Sequence, residues 1–245
     1  ELPPPPPGKT GWPWTEQSNP LPKTQPDGSN WPKISIATPS YNQGQFVEET
    51  IRSVLLQGYP NLEYIVMDGG STDESVEVLK KYDAWLTHWE SRPDRGQSHA
   101  INKGFQHATG SILGYLNSDD LLLLNAFSHV ARAERKHVGD RPLLLMGNCA
   151  MGGSTLNEVS HVWTPTVTGD IFREALAGHG ICPQPATFWT TDEDGRVPRI
   201  DESMHFGMDH ALWAHLAASR YTPVHIPEDL AFYRKHGDSK SLTQD

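Results

Sequence analysis

The chain has 245 residues, with 30 Asp and Glu against 20 Lys and Arg and a formal net charge of −10; its sequence pI of about 5.6 excludes the global basic field that draws nucleic acids and anionic membranes. Any phosphate it binds must be met locally, by a few basic side chains, backbone amides or a metal. The length suits one large α/β domain, and no apolar run approaches the roughly 20 residues that cross a bilayer.

Residues 1–32 form a Pro-rich arm, with five consecutive prolines at 3–7 and Trp12, Trp14 and Trp31 interspersed. Proline fixes φ and removes donors, so the arm is expected to be extended, outside the sheet and outside the core, with Trp12 or Trp14 pinning it to the surface. A start on Glu1 and no signal peptide point to an excised piece of a longer, multidomain cytoplasmic protein. The rest, 33–245, reads as a single domain. Its first strand is expected over Lys33–Thr38 and stopped by Pro39. A loop, Ser40-Tyr41-Asn42-Gln43-Gly44, leads to a helix carrying Phe46, Ile51, Val54 and Leu55 at helical spacing until Gly58 and Pro60. Leu62–Met67 is a second strand, ending in Asp68-Gly69-Gly70-Ser71-Thr72-Asp73. Ser71 and Glu74 have capping-box spacing ahead of a helix through Val76 and Leu79 to Lys81. A short strand at Trp85–Trp89, a helix at Gln97–Ala108 and a strand at Ile112–Leu116 follow, and Asn125 caps a helix running to about His137. Strand and helix in alternation imply right-handed parallel crossovers.

Beyond Asp140 the pattern changes. Leu143–Met146 is a strand, 147–165 reads as hairpins, and Ile171–Leu176 is a short helix. Ala186–Thr190 is a strand, Phe206–Ala218 an amphipathic helix with Ala211, Leu212 and Leu216, and Pro223–Ile226 and Leu230–Tyr233 are two short terminal strands. The domain thus divides into a nucleotide-binding half, 33–120, and an acceptor half, 121–245. Cys149 and Cys182 lack a CxxC spacing and read as buried free thiols of a reducing cytosol. The twelve histidines form no HExxH pattern.

The chemistry concentrates where strands end. The run Ile112–Leu116 stops on Asn117-Ser118-Asp119-Asp120, and a buried strand that stops at acids puts them at the sheet edge where open α/β sheets bind ligands. Asp119 and Asp120 there suit a divalent cation beneath a phosphate-bearing substrate, although acids also favour helix N-termini. Pro39-Ser40-Tyr41-Asn42 and Asp68 to Asp73 leave the same edge. Met208-Asp209 lies in the acceptor half.

These motifs, in this order, resemble the inverting glycosyltransferases of family 2. The resemblance implies an α/β GT-A fold: a Rossmann-like, mostly parallel central sheet flanked by helices, with a mixed C-terminal acceptor half. It implies hexosyl-type transfer with inversion from a nucleotide-diphosphate sugar to a glycan or lipid-linked glycan in polysaccharide biosynthesis, in the cytoplasm or peripherally at the inner face of the membrane. Asp68 then hydrogen-bonds the base, with Thr38, Pro39 and Tyr41 on its other side and Gly70 in the same loop. Asn117-Ser118-Asp119 matches the metal-binding triplet, with Asn117 where Asp is usual; Asn117 and Ser118 contact substrate, and Asp119, with Asp120 as a second contact, holds Mn²⁺ or Mg²⁺. His236, in Arg234-Lys235-His236-Gly237-Asp238-Ser239, completes the metal or diphosphate site, Arg95 contacts diphosphate or ribose, and Asp209 is the catalytic base. Cys182-Pro183-Gln184-Pro185 is a rigid turn beside the cleft. Trp163, Trp189 and Trp213 are core residues or sugar-stacking surfaces. Two rival readings stay open: a nucleotidyltransferase, which would need a Gly-rich basic phosphate loop not found after the first strand, and a non-catalytic nucleotide-sugar-binding module.

Overall fold

Four short apolar runs, β1 (Ile34–Ser40), β2 (Leu62–Asp68), β3 (His88–Ser91) and β4 (Ile112–Tyr115), pair in parallel in the order β3-β2-β1-β4. They belong to a computed structural model that describes residues 1–137, 139, 142–167, 182–192, 194–204, 206–237 and 239. The crossovers through α1 (Gly44–Leu55) and α2 (Ser75–Tyr82) step one way along the sheet, and that through α3 (Gln97–His107) returns past β1 to β4. The direction reverses between β1 and β4, which opens a crevice at their carboxyl ends.

The second half continues the sheet from β4 through β8 (Thr187–Thr190), β6 (Leu143–Gly152), β9 (Thr222–Arg234) and β5 (Leu121–Leu122), with β7 (Val159–Trp163) pairing β6. Among the described residues of this half, the β6–β9 pairing is parallel and the others are antiparallel. Strand residues alternate between two cores, as the period of two requires. Ile34, Ile36, Tyr64 and Val66 pack with α1, α2 and α4 (Ala126–Lys136). Ala37, Leu113 and Tyr115 face the other way, onto α3 and α5 (Met208–Ala218). Gly104 makes the α3 contact close, since a Cβ there would lie 2.9 Å from Ala37 Cβ.

Several expectations change. Pro39 lies inside β1. Ala37 O accepts from Leu116 N, so Pro39, two residues on, turns its missing N–H to the same side, beyond the end of β4 where no partner waits. The capping box at Ser71 does not form: α2 starts at Ser75, whose amide donates to Asp73 Oδ1, while Ser71 Oγ donates to Asp68. The third strand sits about three residues later than expected, after a 3-10 turn at Asp83–Trp85. Asn125 precedes α4 in left-handed conformation without a side-chain cap. The terminal strands are one strand, β9, carried past Pro227 by register shifts. α5 is not amphipathic: Ala211, Ala214 and Ala217 extend its apolar surface beyond Leu212, Trp213 and Leu216. The helix expected at 171–176 lies outside the described residues.

The arm also differs from expectation. Trp14 and Trp31 are buried, and Trp31 belongs to the main core beside Tyr59, ring centroids 6.1 Å apart. Both cysteines are free and buried. Among the described residues no helix is long and apolar enough to cross a membrane.

Candidate active site

At the carboxyl ends of β1, β2 and β4 opens a cleft of about 1050 Å³. Pro39 and Tyr41 line it on the β1 side, and two hydrogen bonds lace their loop to the one after β2: Asn42 N donates to Ser71 Oγ at 2.7 Å and Thr72 N to Asn42 Oδ1 at 2.9 Å. Thr38 is fully buried, its hydroxyl 3.2 Å from Tyr64 Oη, so it lies beneath the wall. Asp68 is buried too. Its carboxylate accepts from Gly70 N, Ser71 N, Ser71 Oγ and Ser91 Oγ, which occupies about as many acceptor positions as a carboxylate has. Asp68 therefore shapes the loop from below, and the expected direct contact with a base is not presented. Gly70 is also off the wall, in left-handed conformation against Pro93.

The wall position belongs to Gly69, where a Cβ would meet the Asp94 carboxylate at 3.2 Å and the Tyr41 ring at 3.3 Å. Asp94 lines the cleft and was missed, although it follows β3 at the same sheet edge and was findable by the same rule. Its neighbour Arg95 points away. The Arg95 guanidinium pairs with Glu202 and is 70% exposed, so it does not line the cleft as expected.

Asn117, Ser118 and Asp119 line the end of β4. Asn117 Oδ1 accepts from Gln97 Nε2 at 2.7 Å, and its amide N–H groups donate to Gln184 Oε1 at 3.0 Å and Asp120 Oδ2 at 3.3 Å. An Asp would donate to neither, which is a physical reason for Asn at this position. Gln97 and Gln184 were not singled out as site residues by the sequence. Asp120 is a correction to the expected metal set. It is fully buried and turned inward, Oδ1 accepting from Arg234 N at 3.0 Å, and burial, then the Asp119 charge, pushes its carboxyl well above the usual range.

Asp119 Oδ2 lies 3.0 Å from His236 Nε2. The His236 ring rests on Phe46, centroids 4.5 Å apart, and its Nδ1 is buried without a hydrogen-bond partner among the described residues. No third His, Cys, Asp or Glu joins this pair among the described residues. One carboxylate and one imidazole fit Mg²⁺ or Mn²⁺ completed by substrate phosphates and water better than a closed protein cage.

Asp209 lines the same cleft from the first turn of α5, which starts after Gly207 in left-handed conformation and is tied to α3 by Ser98 Oγ donating to Met208 Sδ. Burial, then the Asp209 charge, raises the Tyr115 hydroxyl and the Cys182 thiol above their ordinary values. Cys182, Gln184 and Pro185 form part of the wall, with Trp163, Tyr233 and Lys235 further along. Trp189 and Trp213 are core, packed on each other at 5.9 Å.

Residues 35–138 match the profile described as Glycosyl transferase family 2. An uncharacterized glycosyltransferase of Mycobacterium tuberculosis is 32% identical over 178 residues, 72% of this chain and 65% of that protein, so the chain spans about two thirds of that relative's length. Solved structures that share the fold include the following two. S. aureus TarS 1–349 in complex with UDP-GlcNAc has a TM-score of 0.60 at 18% identity, covering 87% of this chain and 61% of that one. Mannosyltransferase PcManGT from Pyrobaculum calidifontis in complex with GDP-Man and Mn²⁺ has a TM-score of 0.60 at 19% identity, covering 85% and 58%.

Proposed function

Because this chain resembles the family 2 glycosyltransferases in its motifs, its relatives and its GT-A-like fold, we propose that it transfers a sugar from a nucleotide-diphosphate donor to a hydroxyl of a glycan or lipid-linked glycan, with inversion. The observation that carries the reading is one cleft lined by Asp119, which contacts His236, and by Asp209. The nucleotide lies along Pro39, Tyr41, Gly69 and Asp94. At about 1050 Å³ the cleft is at the upper end of the roughly 300–1,000 Å³ of single-ligand pockets, leaving room for an acceptor beside Trp163 and Tyr233.

Asp119 and His236 would hold Mn²⁺ or Mg²⁺, which when bound neutralises charge on a diphosphate without a proton. Asp209 accepts the proton of the acceptor hydroxyl as that oxygen bonds to the anomeric carbon. The bond from that carbon to the diphosphate oxygen breaks with its electron pair, and nucleoside diphosphate leaves. Attack opposite the leaving group inverts the configuration.

The test incubates the full chain with a panel of nucleotide sugars, Mn²⁺ and candidate glycan acceptors. Nucleoside diphosphate release and a product of inverted configuration are expected; pyrophosphate release, a retained configuration or no turnover with any donor overturns the reading. Asp209→Asn should lower kcat by roughly 10²–10⁴-fold at saturating donor while donor affinity survives, because a base acts mainly in the transition state. Wild-type turnover in that variant removes Asp209 from the role.

A further inference from the structure

We infer that the Pro-rich arm is a positioning element of the cleft, acting through α1 and β5 on the two loops that carry Asp119 and His236. The inference rests on the reading of that pair as the metal and donor site. It starts from Arg52 of α1, a buried arginine whose partners are mostly arm carbonyls. Its Nε donates to Pro13 O at 3.0 Å, Nη2 to Trp14 O at 2.8 Å and Nη1 to Pro3 O at 2.8 Å, with Tyr82 Oη at 2.9 Å as a further acceptor. Three separate arm carbonyls converge on one planar fork. A second attachment comes from Trp12, whose indole N–H donates to Leu122 O at 2.9 Å. Leu122 lies two residues past Asp120, in β5, opposite Ala231 of β9, the strand that ends at Arg234, two residues before His236.

The same helix reaches the site from its other side. Phe46, Glu49 and Thr50 stand at i, i+3 and i+4, one face of α1. Thr50 Oγ1 is 2.9 Å from Ser118 O and 2.8 Å from Asp120 O. Glu49 accepts from Arg234 Nη2 at 2.9 Å. The Phe46 ring contacts both the Arg234 guanidinium, 4.5 Å from its centroid, and the His236 ring. Ser53, one residue past Arg52, accepts from Leu122 N at 3.2 Å. The arm thus grips α1 and β5, and these two elements contact both loops. Asp119 and His236 are 117 residues apart, and paired ligands need a supporting shell to hold their geometry. That shell ends in the arm, which lies wholly outside the stretch 35–138 that matches the family profile.

The test uses the full chain with Trp12→Phe, which keeps a ring and removes the N–H, and Arg52→Lys, which keeps the charge and loses the fork. Asp27→Asn is the control, since among the described residues the Asp27 side chain binds Ser29 and Arg135 and nothing on α1 or β5. Three readouts are taken: melting temperature, affinity for Mn²⁺ and for UDP, and amide exchange over residues 119–122 in metal-free protein. Both variants should stay folded, bind Mn²⁺ about tenfold more weakly, the low end of what losses outside the ligand set cost, and exchange faster at 119–122; Asp27→Asn should match wild type. If Arg52→Lys fails to fold, Trp12→Phe decides. An arm that only covers surface would lower the melting temperature and leave Mn²⁺ affinity and exchange as in wild type, which overturns the inference. Wild type that binds neither Mn²⁺ nor UDP defeats the reading of the site instead, and the exchange rates then decide the arm's role alone.

Discussion

Asn117 shows how one atom changes what a motif can do. A carboxylate is usual at this position in the family the chain resembles, yet here an amide donates to both Gln184 and the buried Asp120. Asn117→Asp would restore the usual residue and at the same time remove two hydrogen-bond donors and set two carboxyls within about hydrogen-bond distance in a half-buried turn. Leaving buried acceptors unpaired costs about 1–3 kcal/mol each, so the variant should unfold at lower denaturant concentration and gain no Mn²⁺ affinity. Chemical denaturation and a Mn²⁺ titration check both halves; tighter Mn²⁺ binding at unchanged stability would contradict the account. Asp68 carries a similar lesson. Its place at a strand end was legible, but that its oxygens are spent on Gly70, Ser71 and Ser91 depends on β3, which brings Ser91 alongside.

At the scale of elements, the parallel half follows from local signals, and one side chain holds its far end together. Glu63 of β2 accepts from Ser35 Oγ of β1, from Thr109 N and Oγ1 in the turn before β4, and from Lys33 Nζ. Burial pushes its carboxyl up, but those hydrogen bonds outweigh burial and hold it at about 2. A folded value below the unfolded one, about 4.3 for Glu, means stability that is fully present above that pH and is lost as pH falls from there towards 2. Wild type should therefore lose melting temperature faster than Glu63→Gln between pH 5 and pH 2, while near pH 7 the variant is the less stable of the two. Parallel pH profiles for the two proteins would exclude the clasp. Because Glu63 sits at the amino ends of the strands, away from the cleft, nucleotide binding by the folded variant should be unchanged. Two elements lack a local signal, the unexpected β5 and the continuous β9: a two-residue strand has no period to detect, and Pro227 reads as a stop unless register shifts against β6 carry the pairing past it.

For the whole molecule the arm is the test of what counts as core. Trp31 is 6% exposed, packs edge-on against Tyr59 and donates its indole N–H to Pro22 O. Trp31→Ala should cost about 3–5 kcal/mol, the usual range for a buried tryptophan, measured by denaturant unfolding; a cost below about 1 kcal/mol would return the arm to the surface. Local sequence is enough for the alternation of strand and helix from Ile34 to Tyr115, for the apolar strands and for the sheet edge on which Tyr41, Gly69 and Asp119 emerge. Those features follow from periodicity and turn chemistry within about ten residues, which the local chain carries. Long-range packing settles the rest: that Asp120 turns inward, that Arg95 is taken by Glu202 and that tryptophans of a Pro-rich arm are buried. Each of these depends on partners far away in the chain, and the choice among many chemically equivalent partners is made by packing and burial rather than by any local pattern.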